Sequence, residues 1–518
     1  MFGTRAGADR MKSGGRTTAR RIAKVLVANR GEIAVRVIRA CRELGIVPVA
    51  VFSEVDRAAL HVLSADEAYP IGPAPAAESY LNVDRLVGVA KAAGVDAVHP
   101  GYGFLAENAA FAEACEAAGL VFVGPPPSAI RTMGDKSAAR RMARELGVPM
   151  VPGSLAPVAD DAAARAAADE IGYPLMVKAT MGGGGKGMRL VRQATELDGA
   201  LRAARSEAAG AFGDGAVYLE RYVEEARHIE IQVLADAHGQ VIHLGERECS
   251  IQRRHQKLVE ECPSPFVDAA MRERMGQAAC RIAKTAGYVS AGTVEFLVDA
   301  TRNFYFLEMN TRLQVEHPVT ELVTSIDLVR EQLRIAAGEP LDRTQDDVEW
   351  RGAALECRIN AEDPFGGWLP SPGTITALRG ASGPWVREDS GVYEGYTVPG
   401  SYDTLLAKLI VWGADRSAAI DRMARALAEY KVVGVRTTIP VLARIVAHAD
   451  FRAGRLSTRL LERIMAGEVP ARGRLRPVAL VAAVLAEYER LGRRPLTASA
   501  PATADMSRWS RRPGWRSR

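Results

Sequence analysis

The sequence predicts a protein of the α/β class that begins with a doubly wound parallel sheet and continues in mixed α+β structure. Three observations lead to this prediction. Strand and helix patterns alternate over residues 22–125, which is the order that builds a parallel sheet. A glycine-rich stretch at 180–187 lies between two short strand patterns, which indicates a hairpin. Two further strand patterns, within 293–310, carry polar side chains at alternate positions.

The N-terminal region is predicted to form the parallel sheet. The run 22–28 is apolar enough for a buried strand, a helix pattern follows at 33–44, and 47–52 is the next strand. Gly31 alone opens the first helix, whereas a dinucleotide-binding turn needs three glycines, so the sequence argues against that class of site. A single helix is predicted after this region, over residues 128–146.

Composition argues against several classes of protein. The net charge of the 518 residues is +5, but residues 1–24 and 471–518 are basic while the body between them is acidic, so nucleic-acid binding is not expected. The six cysteines form no CxxC pair, which argues against a zinc site or a disulfide framework and favours the cytoplasm. No apolar run is long enough for a membrane span, and residues 1–21 lack the apolar core of a secretion signal.

The glycine-rich stretch 180–187 resembles two nucleotide motifs but fits neither. Its glycines match GxGxxG formally, yet a strand pattern follows where a Rossmann site has a helix. Gly187 follows Lys186 at the position where a P-loop requires Ser or Thr. A hairpin loop remains, whose backbone N–H groups can approach phosphates and whose entering strand carries Lys178. The alternative interpretation is an ordinary flexible hairpin tip.

The stretch 293–318 carries the densest set of candidate ligands. Glu295 lies in the first strand pattern, a turn is predicted at 299–303, and a second strand begins at 304. Alternate positions of that strand and its continuation share one face while the strand lasts, and they hold Glu308, Asn310, Arg312, Gln314 and Glu316. Two carboxylates and an amide oxygen suit Mg²⁺, and the arginine suits a small anion or a phosphoryl group. The alternative is a solvated polar face.

Two other stretches are candidates for nucleotide or anion contacts. A strand is predicted over 217–223, and its last residues lie where backbone groups can meet an adenine ring. Residues 253–257 read RRHQK and place four cationic or potentially cationic groups within five positions. Such a run is usually a solvated surface, and an anion pocket is the functional alternative.

Seven segments taken together resemble biotin carboxylase, a member of the ATP-grasp superfamily. The resemblance runs in order from about residue 22 to 465 and includes MGDK (133–136), KATMGGGGKGMRLV (178–191), ERYVEEARHIEIQV (220–233), ERECSIQRRHQKLVEE (246–261), VEFL (294–297), EMNTRLQVEHPVTE (308–321) and ECRINAEDP (356–364). The runs RRHQK and EMNTRLQVEHP are highly specific to biotin-dependent carboxylases, whereas the glycine-rich loop indicates only ATP-grasp.

The resemblance implies roles for individual residues. It implies ATP binding by Lys136, Lys178, Gly184, Gly185, Glu220, Arg221, Tyr222, Val223, His228, His255, Glu295 and Glu308. It implies that Mg²⁺ or Mn²⁺ is held by Glu295, Glu308 and Asn310. It implies that bicarbonate is held by Lys257, Arg312, Gln314, Val315 and Arg358. Glu316 would be the catalytic base, assisted by Lys257 and Arg312, and Arg358 would face the ureido oxygen of biotin.

The resemblance also implies a domain order, with an N-terminal pre-ATP-grasp domain, an ATP-grasp region with a lid, and a C-terminal mixed α+β domain. The predicted division is a basic disordered extension (1–21), a Rossmann-like N-terminal domain (22–135), a lid subdomain with the glycine-rich loop (136–225), a catalytic and metal-binding subdomain (226–350), a C-terminal domain (351–466) and an Arg-rich tail (467–518). The tail resembles the start of the assembly region of fused acyl-CoA carboxylase α subunits, so a truncated or split subunit is expected.

The resemblance implies two partners, a biotin carboxyl carrier protein and a carboxyltransferase subunit. No Met-Lys-Met biotinylation segment is present in the sequence, so the carrier is expected to be another chain or a downstream part of this one. A homodimer or a larger acyl-CoA carboxylase complex is expected, with the acyl group chosen by the carboxyltransferase. Two alternatives remain open. One is another ATP-grasp ligase, of the carbamoyl-phosphate or carboxylate-amine type. The other is a non-catalytic ATP-binding subunit.

Overall fold

The computed structural model describes residues 20–154, 156–180, 187–467 and 480–486. The chain divides into two compact units, residues 1–464 and 465–518. In the second unit, residues 480–486 are helical and their side chains are exposed. The predicted extension at 1–19, most of the predicted tail and Gly184 and Gly185 lie outside the described residues.

The N-terminal region forms the predicted parallel sheet, with five strands in the order β3-β2-β1-β4-β5. The strands are β1 (Lys24–Val27), β2 (Val47–Ser53), β3 (Glu67–Gly72), β4 (Ala97–His99) and β5 (Val121–Phe122). The helices that accompany them are α1 (Gly31–Glu43), α2 (Leu60–Ser64), α3 (Val83–Ala92) and α4 (Ala109–Ala117). The apolar residues of β1 and α1 that the sequence pattern placed inside are buried, among them Val25, Val27, Ile33 and Val37.

The predicted helix over 128–146 is wrong as a single element. It consists of α5 (Pro127–Gly134) and α6 (Lys136–Glu145), with Asp135 between them. Asp135 has an extended backbone, and its side chain accepts hydrogen bonds from the backbone N–H groups of Ser137 and Ala138. An aspartate in this arrangement caps the start of a new helix, so the break follows from the residue itself.

A small antiparallel sheet in the order β7-β6-β8 follows. Its strands are β6 (Leu175–Ala179), β7 (Met188–Val191) and β8 (Val217–Arg221), and it packs with α7 (Asp161–Ile171) and α8 (Leu197–Phe212) around a core of its own. The pairing of β6 with β7 confirms that a strand, and not a helix, follows the glycine-rich stretch.

The largest sheet has eight antiparallel strands in the order β13-β12-β9-β10-β11-β14-β21-β19. The strands are β9 (Arg227–Ala235), β10 (Val241–Arg253), β11 (Gln256–Cys262), β12 (Ser290–Val298), β13 (Phe304–Asn310), β14 (Ala353–Asn360), β19 (Val386–Ser390) and β21 (Leu405–Gly413). The predicted hairpin of β12 and β13 is confirmed. Because β11 pairs with β14, the sheet is continuous across residue 350, where the sequence predicted a domain boundary; the boundary itself stays a prediction.

The remaining elements complete the C-terminal part. The helices are α9 (Ala269–Thr285), α10 (His317–Thr324), α11 (Leu328–Ala336), α12 (Arg416–Glu429), α13 (Ile439–Ala447), α14 (Ala449–Arg452) and α15 (Leu460–Ala466). The short strands are β15 (Glu362–Asp363), β16 (Leu369–Pro370), β17 (Gly373–Thr374), β18 (Ala377–Arg379), β20 (Thr397–Val398) and β22 (Lys431–Val433). Among the helices that the structure describes, none has the length and apolar character needed to cross a bilayer.

Replacement of Phe296 by alanine tests the packing of the hairpin of β12 and β13. Phe296 is fully buried in β12, and its ring meets Phe304 and Phe306 of β13 edge-on at 5.5 and 6.5 Å. We expect Phe296→Ala to lower the free energy of unfolding by about 3–5 kcal/mol, measured by urea denaturation, because it leaves a cavity. The exposed Val433→Ala is the control and should change it by about 0.5 kcal/mol or less. Equal effects of the two variants would contradict the assigned packing.

Candidate functional site

The candidate site lies on one face of the eight-stranded sheet and is built around Lys257 of β11. The Lys257 Nζ atom lies 2.5 Å from Glu230 Oε2, 3.1 Å from Glu295 Oε1 and 2.5 Å from Glu316 Oε1. We call these four residues the Lys257 cluster. Burial by itself would lower the pKa of Lys257, but the three carboxylates outweigh burial and hold that pKa well above its ordinary value. Lys257 is therefore a permanent cation.

Glu316 immediately precedes α10 and is fully buried. One of its oxygens accepts from Lys257, and the other accepts from Arg358 Nη2 at 2.8 Å. Burial opposes ionisation, yet Lys257, Arg358 and the nearby Arg247 hold the pKa of Glu316 well below its usual range. Glu316 is therefore an anion between two cations, which is the state that a general base requires.

Two arginines fix the carboxylates of the site. Arg358 of β14 donates from Nε to Glu260 Oε1 at 2.6 Å, in addition to its contact with Glu316. Arg247 of β10 is completely buried and donates from Nε to Glu230 Oε1 at 2.5 Å. Its other nitrogens donate to Gln232, Thr293 and Thr320. The sequence did not indicate a role for Arg247 or Glu230, because a charged residue in a strand pattern does not show which distant partner it contacts.

Arg312 lies beyond the end of β13, so the predicted alternation along one strand face holds only as far as Asn310. Arg312 donates to Asn310 Oδ1 at 3.1 Å and to Gln314 Oε1 at 3.3 Å, which brings these three predicted residues together. Its Nε atom also donates to Glu107 Oε2 at 2.9 Å, a contact that the sequence did not indicate. Gln314 in turn donates to Glu295 at 2.9 Å and so joins the Lys257 cluster.

The predicted metal ligands lie on the paired strands β12 and β13. Glu295 and Glu308 are direct cross-strand neighbours, and Asn310 is the next residue of β13 on the face of Glu308. His228 Nε2 lies 3.0 Å from Glu295 Oε2, and Lys136 Nζ lies 3.4 Å from Glu308 Oε2. Two carboxylates and an amide oxygen at adjacent positions form a donor set that fits a hard divalent cation.

The predicted ATP residues fall into separate groups. Lys178 of β6 pairs with Glu220 of β8, and Arg140 of α6 pairs with the other Glu220 oxygen. Arg140 is a contact that sequence reasoning missed. Four other residues were predicted to contact ATP, namely Arg221, Tyr222, Val223 and His255. Among the described residues, no hydrogen bond or ion pair connects any of these four with the Lys257 cluster. The backbone N–H groups of Arg221 and Tyr222 already donate to Pro152 O and Pro174 O.

Lys408 of β21 is a second buried cation that sequence reasoning missed. Its Nζ atom donates to the carbonyl of Val315 at 2.8 Å and lies 3.3 Å from Glu32 Oε2 of α1. Glu32 also accepts from Tyr102. A single lysine in the otherwise apolar run LLAKLIVWG was the available signal, because an unpaired charge is too costly to bury in a sheet.

Three family models match the chain in succession. The model described as biotin carboxylase, N-terminal domain, matches residues 21–130. The model described as carbamoyl-phosphate synthase L chain, ATP binding domain, matches residues 135–344. The model described as biotin carboxylase C-terminal domain matches residues 356–463. The N-terminal and C-terminal matches are both to biotin carboxylase domains. The three matches taken together therefore favour biotin carboxylase over a carbamoyl-phosphate or carboxylate-amine ligase.

Relatives of known name agree with these matches. The chain is 54% identical over 442 residues to biotin carboxylase 1 of Bacillus subtilis, which covers 85% of this chain and 98% of the relative. It is 51% identical over 458 residues to the propionyl-CoA carboxylase alpha chain of Ruegeria pomeroyi, which covers 85% of this chain and 67% of the relative.

A solved structure is similar over the same region. The biotin carboxylase domain dimer of 2-oxoglutarate carboxylase from Hydrogenobacter thermophilus was solved in complex with MgADP, ADP and bicarbonate. It matches with a TM-score of 0.83 at 50% identity and covers 86% of this chain and 99% of that chain. With the geometry of the Lys257 cluster, these comparisons establish that the chain belongs to the biotin carboxylase family.

Proposed function

We propose that this chain catalyses the ATP- and bicarbonate-dependent carboxylation of N1′ of biotin on a carrier protein. The observation that carries the proposal is the buried Glu316 carboxylate held between Lys257 and Arg358. A carboxylate between two fixed cations suits a base that must deprotonate an anionic substrate, because the cations also attract that substrate.

The first stage activates bicarbonate. Lys257 and Arg312, with Gln314 and the backbone of Val315, hold the anion, and Glu316 accepts its proton. The freed oxygen then attacks the γ-phosphate of ATP, which gives ADP and carboxyphosphate. Positioning and charge stabilisation supply most of the catalysis in phosphoryl transfer, so fixed cations are the main requirement.

ATP contacts are assigned to two sets of residues. Lys136 and Lys178 would meet the phosphates, and Glu295, Glu308 and Asn310 would hold Mg²⁺ or Mn²⁺. When bound, that cation neutralises charge on the phosphate oxygens. The remaining predicted ATP contacts are Gly184, Gly185, Glu220, Arg221, Tyr222, Val223, His228 and His255.

The second stage transfers carbon dioxide to biotin. Carboxyphosphate breaks down to CO₂ and phosphate, and phosphate or a neighbouring base removes the N1′ proton. Arg358 stabilises the ureido oxygen as it becomes enolate-like, and N1′ attacks CO₂. An arginine suits this role because it stays cationic at every working pH. Because carboxyphosphate hydrolyses in water, a lid is needed, and we assign that role to residues 136–225.

The proposed partners are a biotin carboxyl carrier protein and a carboxyltransferase subunit, with a homodimer as the basic assembly. The name of the relative from Ruegeria, which is one component of a propionyl-CoA carboxylase, and the dimer named for the Hydrogenobacter domain support this proposal. A cytoplasmic location is proposed as well. Its support is that all six cysteines are free thiols, as in a reducing compartment.

Replacement of Glu316 by glutamine tests the base. We expect Glu316→Gln to lower biotin-stimulated ADP release by about 10²–10⁴-fold, because the amide cannot accept the bicarbonate proton. ADP release from ATP and bicarbonate, with and without free biotin, is the measurement. Glu349→Gln is the matched control, since Glu349 is 65% exposed and pairs with Arg351 at the surface. Activity of Glu316→Gln within about threefold of the parent chain would rule out Glu316 as the base.

Removal of the divalent cation tests the metal assignment. Chelation should abolish ADP release, and Mg²⁺ or Mn²⁺ should restore it. We expect Glu308→Gln to raise the half-saturating Mg²⁺ concentration by about tenfold or more, because a carboxylate ligand is lost. Glu349→Gln again serves as control. An unchanged Mg²⁺ dependence in Glu308→Gln would argue against this ligand set.

The ionised state of Glu316 predicts a pH dependence of stability. Its pKa is lower in the folded protein than in the unfolded chain, where an ordinary glutamate titrates near about 4.3. Its contribution is therefore fully present above that pH and is lost as the pH falls through the folded pKa. The difference in unfolding free energy between the parent chain and Glu316→Gln should shrink below about pH 4. Denaturant titrations at stepped pH measure it, and a difference that grows on acidification would contradict the ion pairs.

A further inference from the structure

Arg358 is held by two carboxylates from different parts of the chain. Its Nε atom donates to Glu260 of β11 at 2.6 Å, and its Nη2 atom donates to Glu316 at 2.8 Å. The proposed reaction changes the charge of only one of these partners, because Glu316 takes a proton from bicarbonate. When Glu316 becomes neutral, Glu260 is the remaining anion that contacts the guanidinium.

Glu260 has an unusual neighbour. Glu356 of β14 is its direct cross-strand partner, and both side chains are completely buried. Directly opposed residues have Cβ atoms about 4.5–5.5 Å apart, so the two carboxyl groups can meet. Within the described part of the chain, Glu260 Oε2 and both oxygens of Glu356 lack a hydrogen-bond partner. Buried polar atoms without partners are rare and costly, but one proton between the two carboxyl groups would give them a shared hydrogen bond.

Lys408 and Arg358 favour the ionised form of Glu356 from a distance, but among the described residues no cation forms an ion pair with it, and burial outweighs both charges. Arg358 is shared between Glu260 and Glu316, and Lys257 is engaged with the carboxylates of its own cluster. Lys408, which faces the pair from β21, donates to Val315 and lies beside Glu32.

The thiols of Cys357 and Cys249 are further ionisable groups near the pair, and burial with the neighbouring carboxylates raises the pKa of both, so they are neutral. Two more ionisable groups lie on α10, which packs against β14. Burial and neighbouring Lys408 hold the pKa of His317 well below its ordinary value, so His317 is neutral. Glu321 is engaged by Arg36 and Arg387. Burial raises the pKa of Glu260 to about 7 and that of Glu356 well above its ordinary value, which agrees with one proton held by the pair.

We propose that Glu260 is the positioning residue that keeps Arg358 in place during the reaction, and that Glu356 supports it as a neutral acid that donates to Glu260. The proposal rests on the proposed function. Bicarbonate gives its proton to Glu316, whose hold on Nη2 weakens. That nitrogen then turns to the ureido oxygen of biotin, while Glu260 retains Nε. Arg358 thus exchanges its contact with Glu316 for one with biotin, while its contact with Glu260 is kept.

Glu260→Gln removes the negative charge that holds Arg358 and keeps the side chain at nearly the same size. We expect Glu260→Gln to raise the KM for biotin or to lower the biotin-dependent kcat, by about tenfold to a hundredfold in kcat/KM, because Arg358 is misplaced. Bicarbonate-dependent ATP cleavage without biotin should fall by a clearly smaller factor than the biotin-dependent reaction, because Arg358 then acts only through its contact with Glu316. Glu260→Asp, which keeps the charge, should recover part of the loss.

Glu261→Gln is the matched control for Glu260→Gln. Glu261 is the next residue of β11, is also buried, and pairs with Arg416 at 2.6 Å instead of with the site. We expect its replacement to lower the melting temperature and to leave the KM for biotin unchanged. If Glu260→Gln and Glu261→Gln behave alike, or if Glu260→Gln loses both reactions equally, Glu260 is merely structural and the proposal is overturned.

Variants at 356 test the neutral acid. Glutamine can donate a hydrogen bond as a protonated carboxyl does, whereas leucine cannot. Glu356→Gln should therefore keep kcat/KM for biotin within about threefold, and Glu356→Leu should resemble Glu260→Gln. The infrared difference spectrum of the parent chain minus Glu356→Gln should show the C=O band of a protonated carboxylic acid. A carboxylate band in its place would show that Glu356 is ionised and would overturn the proposal of a shared proton, whether or not the chain is active.

The outcomes separate this proposal from the proposed function. If the parent chain shows no biotin-stimulated ADP release, the function assigned above fails, while the infrared spectrum still decides whether Glu356 is neutral. If the parent chain turns over and Glu260→Gln has an unchanged kcat/KM for biotin, the function stands and the positioning role of Glu260 fails.

Discussion

The site depends on the balance of charge around Lys257, because its charged members lie almost entirely out of contact with water. Three carboxylates converge on one ammonium group, and Arg247 and Arg358 supply the further positive charge that they need. A buried ion costs several kcal/mol unless it is paired and hydrogen-bonded. Loss of any one member therefore leaves its partners uncompensated, and we expect residues of this cluster to affect folding and chemistry together.

The continuous eight-stranded sheet makes this arrangement possible. Lys257 and Arg358 are about a hundred residues apart in the chain, but β11 and β14 are hydrogen-bonded neighbours. Contacts with α1 add the N-terminal region, since Glu32 meets Lys408 and Arg36 meets Glu321 at 3.0 Å. The ion pairs of Glu316 with Lys257 and Arg358, and the hydrogen bond from Lys408 to the Val315 carbonyl, hold the loop that contains Val315 and Glu316 against the sheet.

The sequence predicted the features that depend on local pattern. Alternating strand and helix patterns predicted the parallel sheet. The two strand patterns around the turn at 299–303 predicted the hairpin, in which Glu295 and Glu308 are cross-strand neighbours. Specific motifs gave the family. The contacts of Arg247, Glu260 and Lys408 could not be predicted, because each joins strands whose pairing is set by the whole sheet. Likewise, the pattern of apolar residues over 128–146 did not reveal that Asp135 would start a new helix. The roles of individual residues toward ATP, metal, bicarbonate and biotin stay predictions.

The low pKa of Glu316 poses a question for its proposed role, because a base held strongly as an anion is a weak base. The ion pairs themselves provide the answer. Lys257 donates to Glu316 and is also proposed to bind bicarbonate. An arriving bicarbonate ion therefore competes with Glu316 for the ammonium group. Weaker pairing raises the basicity of Glu316, while the same ammonium makes bicarbonate easier to deprotonate. In the proposed mechanism, binding of bicarbonate thus brings the two proton affinities together, and Glu316 acts as an effective base only when its substrate is present.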